Sequence, residues 1–73
     1  MDQARIREVI VHFRVFRGHM AADLAEYEAG THYTGEIRNG RRIDTTRLTI
    51  AELKRRISKI DDLIAAYKKL LNA

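Results

Sequence analysis

Three histidines are the first side chains to test for chemistry. His12 and His19 stand seven residues apart, which on a helix places them on one face but about 10 Å apart along the axis. A single metal ion cannot be gripped across that gap, because helical chelation requires a spacing of three or four. His32 follows with Tyr33 beside it, yet the sequence supplies neither a nucleophile for it to activate nor a group to orient it. Asp61 and Asp62 are adjacent; on a helix they point about 100° apart, which suits a solvated face better than a shared-proton carboxylate pair. The four glycines stand singly, so no phosphate-cradling loop is present. These patterns argue against an enzyme and require no cofactor or metal.

Two clusters of basic residues also call for a reading. Arg38, Arg41 and Arg42 crowd the segment around Asn39-Gly40, where like charges repel and the turn needs none of them. Such a tip is either a solubility device on exposed strand edges or a contact surface. Lys54, Arg55, Arg56 and Lys59 form a second group. They could line a path for DNA through its phosphates without reading sequence, or form a solvated helix face partly paired to Asp61 and Asp62. The bias is regional: residues 1–30 hold four arginines against five acids, a balance of −1, whereas residues 31–73 hold ten cations against five acids, a balance of +5. A basic half suits a phosphate backbone or an acidic protein surface.

These groups must be positioned by very few elements. A chain of 73 residues makes one domain and buries only about 60% of the surface its unfolded form exposes, so assembly with a partner is expected. There is no Cys, hence neither a disulfide nor a thiolate zinc site to staple so small a scaffold. The longest run of large apolar residues is Val9-Ile10-Val11, far short of the roughly 20 that span a bilayer, and Met1-Asp2-Gln3 does not read as the start of a secretory leader. No membrane association is expected.

The clearest element is a helix over about 49–71. Thr49 with Glu52 three residues on reads as a capping box. Beyond it Ile50, Leu53, Ile57, Ile60, Ile64, Tyr67 and Leu71 alternate spacings of three and four, a coiled-coil seam of three heptads. Leu63 and Leu70 widen that stripe on one flank, and Lys68 and Lys69 suit the C-terminal end of the helix dipole. A first helix is expected over about 2–29, with Ile6, Val9 or Ile10, Phe13, Phe16, Met20, Leu24 and Tyr27 as its apolar stripe and Gly30 as its stop. Two competing readings are a β-strand through Val9, Val11, Phe13 and Val15, which alternate at period two, and a break near Gly18.

Between the helices, residues 32–46 predict a hairpin turning at Asn39-Gly40, since a tight turn needs positive φ angles that these two residues tolerate. A two-residue loop would pair Ile37 with Arg42. A three-residue loop, Asn39-Gly40-Arg41, would pair Ile37 with Ile43 and create one apolar face to lay on the helices; that register is favoured, because a lone hairpin is only marginally stable in water. The expected fold is α+β: two antiparallel helices with an intervening two-stranded hairpin.

In order, a helix, a hairpin ending in Asn39-Gly40-Arg41-Arg42-Ile43-Asp44, a Thr45-Thr46-Arg47 link and then Ile50-Ala51-Glu52-Leu53-Lys54-Arg55-Arg56-Ile57 resemble the W protein family of lambda-like phages. These are small head-completion, or head-to-tail joining, proteins. The resemblance covers roughly residues 20–64 and runs without a gap from the turn through the second helix, while the first 15 or so residues extend beyond it. It implies an α-β-β-α fold with the hairpin packed against two antiparallel helices. It also implies attachment beneath the portal ring after DNA packaging, retention of the genome, and a platform for the next connector protein or the tail. The implied location is the virion neck, and the host cytoplasm during assembly. Arg41, Arg42, Lys54 and Arg55 match basic positions of the family pattern and are the implied portal or DNA contacts. Two other readings remain open from the residues alone: a small basic nucleic-acid-binding dimer of helical hairpins, and an interaction protein whose seam binds a host helix.

Overall fold

A computed structural model describes residues 2–71. The element order is α1 (Gln3–Glu28), β1 (Gly35–Arg38), β2 (Arg41–Asp44) and α2 (Thr46–Leu71), an α-β-β-α arrangement. The two helices run antiparallel. Gln3 donates to the Leu70 carbonyl (3.4 Å), the Phe13 and Tyr67 rings lie 5.6 Å apart at 53°, and Arg17 meets Asp61 (2.6 Å).

α1 is one continuous helix, which excludes both the strand and the break near Gly18. Asp2 starts it, its carboxylate accepting from the Arg5 N–H at 2.8 Å and satisfying one of the donors every helix start leaves open. Gly30 ends it at φ +79°. The Gly30 N–H bonds to the Tyr27 carbonyl and the Thr31 N–H to the Glu26 carbonyl, the paired bonds of a Schellman stop, which a left-handed residue makes possible.

Along α1 the seam positions are Ile6, Ile10, Phe13, Arg17, Met20, Leu24 and Tyr27, all buried or half-buried, with half-buried Val9 and Ala21 on their flanks. The seam spacing alternates strictly between four and three. The expected seam is therefore corrected at one step: Phe16 lies outside it, 62% exposed, and Arg17 occupies the seam position. On α2 the positions Ile50, Leu53, Ile57, Ile60, Ile64, Tyr67 and Leu71 are buried or half-buried. The buried core is small and lies at the end away from the hairpin, where Ile6, Ile10 and Ile64 meet and Phe13, Ile60, Tyr67 and Leu71 pack around them. Two of those three buried residues belong to the N-terminal stretch outside the family resemblance, so that stretch completes the core.

α2 begins at Thr46, three residues before the expected start. Asp44 is the reason: its Oδ1 accepts from the Thr46 N–H (2.9 Å) and the Thr46 hydroxyl (2.6 Å), so the first turn forms upstream of Thr49. Glu52 does not close a capping box. It lies within the helix and pairs with Arg55 and with Arg56 (2.9 Å).

The hairpin register also differs from the favoured one. Ile37 pairs with Arg42, Glu36 with Ile43, and Arg38 with Arg41. Asn39 at φ +53° and Gly40 at φ +75° form a two-residue turn of the mirror-image type that matches strand twist. Turn geometry therefore overrides the pairing of Ile37 with Ile43. Those two side chains stand on opposite faces, and neither belongs to the seam: Ile37 is 80% exposed. All eight strand residues are exposed, so the hairpin is not laid on the helices and instead projects from their closed end. The molecule is accordingly long and thin, 54 × 24 × 14 Å with a radius of gyration of 16.6 Å, against about 11 Å for a compact chain of this length. No helix among the described residues is long and apolar enough to cross a membrane.

Candidate contact surface on the hairpin

Four threonines attach the hairpin to the helices. Thr34, just before β1, is their hub. Its N–H donates to the Thr46 hydroxyl (3.1 Å), its carbonyl accepts from the Thr45 N–H (3.0 Å), and its own hydroxyl lies 2.8 Å from that of Thr49 and 3.0 Å from that of Thr45. All four residues are half-buried, so these bonds compete less with water than surface bonds do. Asp44 holds the other side of the joint. Its carboxyl is held below the usual aspartate range, first by the Thr46 hydroxyl and then by the Thr46 N–H, at a helix start where negative charge is favoured. On the α1 side, the Glu26 carbonyl accepts from Thr31 and His32, and the Tyr27 and His32 rings meet edge-on at 6.0 Å.

This joint presents a hairpin with two unlike faces. Because cross-strand partners share a face and neighbours alternate, Arg38 and Arg41 stand together with Glu36 and Ile43, whereas Arg42 shares the opposite face with Ile37. Arg38 pairs with Glu36 along its own strand. Arg41 and Arg42 have no ion-pair partner among the described residues. Two like charges placed directly across a ladder destabilise it, and here they close the turn. On the face of Arg42, a shallow depression of about 300 Å³ is bounded by Tyr33, Gly35, Glu36, Ile37 and Arg42. It offers an aromatic ring, an aliphatic side chain and a guanidinium within one patch.

The second basic group does not converge. Lys54, Arg55, Arg56 and Lys59 are all exposed, but at successive steps of 100° they wrap over about 200° of the helix circumference rather than one face. Arg55 and Arg56 both turn to Glu52, which reduces their shared charge. Asp61 serves neither Lys54 nor Lys59, being held by Arg17. That bond to Asp61, together with its charge, raises the Arg17 pKa. Sequence reasoning missed this ion pair, although the strict four-three spacing that lands on Arg17 was the signal for it.

Comparison with protein-family models, with curated proteins and with solved structures finds no match.

Proposed function

We propose that this chain is a phage or prophage head-completion subunit that binds a portal ring, helps retain packaged DNA and forms the platform for the tail or next connector protein. The observation that supports this reading best is a hairpin that buries none of its eight strand residues and yet is fastened to the helices by a dedicated threonine joint. A hairpin that adds nothing to the core acts through what it presents. It presents Arg41 and Arg42 unpaired, Arg38 beside them, and exposed Ile37 and Tyr33. The α-β-β-α order and the sequence from Asn39 through Ile57 are those of the W-like resemblance, from which the fold departs in that the hairpin projects rather than packing on the helices, and the thin core fits a part that completes itself by assembly.

The test is binding of the purified chain to a purified phage portal ring, followed by mass determination of the complex. The free chain is expected to be monomeric or weakly associated and to load the ring in many copies. The double substitution Arg41→Glu/Arg42→Glu should leave helix content unchanged, abolish loading and block infectious particles. Normal particle yield from that variant would refute the tip contact. A tight free dimer whose DNA affinity collapses between low and physiological salt would point instead to a basic nucleic-acid-binding dimer.

A further inference from the structure

At the end of the molecule opposite the hairpin, Ile10, Val11 and Leu71 line an open groove of about 280 Å³ rimmed by Arg7, Arg14 and Lys68. That volume has room for one or two bulky side chains and lies at the lower limit of pockets that enclose small-molecule ligands. None of the three rim cations takes part in an ion pair among the described residues. Asp61, seven residues before Lys68 on α2, is held by Arg17, and Glu8, next to Arg7 on α1, lines a separate depression with Arg5, Val9 and His12. Val11 beside the groove is 56% exposed, an apolar side chain for which the helix pair itself has no use.

We propose that this groove is a docking site for an acidic amphipathic helix of a partner protein. Arg7 and Arg14 are seven residues apart, so their side chains leave α1 on one side about 10 Å from each other. A helix laid along α1 with carboxylates seven residues apart would meet both, as flanking charges do in paired helices. A leucine or aromatic residue midway between those carboxylates would enter the groove over Val11 and Leu71, and Lys68 would meet a third acid from the α2 side. Charge complementarity selects an acidic partner, and the apolar floor selects a protein one. A phosphate backbone would satisfy the three cations but would gain nothing by covering Val11 and Leu71. This site is independent of the hairpin reading, since Arg7 and the hairpin lie at opposite ends of an axis 54 Å long.

The experiment uses the full chain and a fluorescein-labelled, helix-stapled synthetic peptide carrying glutamates seven residues apart and a leucine midway between them, read by fluorescence anisotropy at physiological salt. Saturable binding is expected. It should weaken at least tenfold for Arg7→Glu/Arg14→Glu, for Val11→Asp, and for a peptide whose leucine is replaced by serine. Arg41→Glu/Arg42→Glu should bind the peptide normally, which separates failure of this site from failure of the hairpin reading. Circular dichroism confirms that each variant keeps its helix content, and Arg14→Gln provides a milder substitution with the same expected direction. Two results would overturn the proposal: no saturable binding, or displacement of the peptide by a single-stranded oligonucleotide of equal charge together with an unchanged affinity for Val11→Asp.

Discussion

Ile10→Ala is the substitution that most directly tests where the stability of this fold resides. Ile10 is 4% exposed and meets Ile6 and Ile64 in the buried cluster. Removing a buried isoleucine side chain to alanine costs about 2–5 kcal/mol, combining lost transfer energy with an unfilled cavity. Alanine's better helix propensity returns only about half a kcal/mol, so a net loss of about 3 kcal/mol is expected. A core in a scaffold of this size supplies about 3–5 kcal/mol in all, so one substitution removes most of it. Unfolding entropy for 73 residues is about 150 cal/mol/K, which converts that loss into a fall in Tm of about 20 °C. The assay is a circular-dichroism melt, with a urea titration to confirm an unchanged m-value. Val15→Ala is the control, because Val15 lies opposite the seam, 54% exposed, and should change stability by less than about 0.5 kcal/mol. Equal effects of Ile10→Ala and Val15→Ala would refute the placement of the core at this end of the helix pair.

Further outcomes follow from the joint and the caps. Gly30→Ala meets no atom within 4 Å, but it forces a side chain into φ +79°; a destabilisation of about 1 kcal/mol is expected in the same melt. Thr34→Val removes the hub hydroxyl, and hydrogen exchange should then quicken at the hairpin amides while the seam amides of α1 and α2 keep their protection. The depressed Asp44 pKa has a definite sign: its contribution is present above the unfolded aspartate value and is lost as pH falls through the lower folded value. Acidification below about pH 4 should therefore loosen the first turn of α2, seen as amide shift changes at Thr45 and Thr46. Asp44→Asn, which can still accept from Thr46, should abolish that pH dependence.

How much of this was legible in the sequence depended on whether one interaction decided the outcome. The α2 stripe from Ile50 to Leu71 was readable because a single periodicity governs it, and Gly30 and Asn39-Gly40 because their backbone angles admit few residues. The start of α2 was misplaced because Thr45, Thr46 and Thr49 are all plausible caps, and the choice fell to the Asp44 carboxylate. The register was misjudged because an apolar face was assumed for the hairpin, which only packing on the helices would have required. Phe16 was preferred to Arg17 on hydrophobicity alone, whereas the period of the helix pair puts the arginine inward. Of the candidate surface, the arginines at the tip were evident from composition. The threonine joint that presents them was not, because Thr34 and Thr46 meet only once the chain has turned.

The Arg17–Asp61 pair has a consequence for alignment. A seam repeating every seven residues is nearly indifferent to sliding by one repeat, since each apolar side chain would find an equivalent neighbour. In an antiparallel pair, a slip of seven residues in either direction would bring Arg17 opposite Lys54 or Lys68 instead of Asp61. Both errors set cation against cation, and the native arrangement alone joins opposite charges. The arginine that interrupts the apolar stripe thus acts as a register key, adding little to the depth of the native state while raising the energy of its nearest competitors.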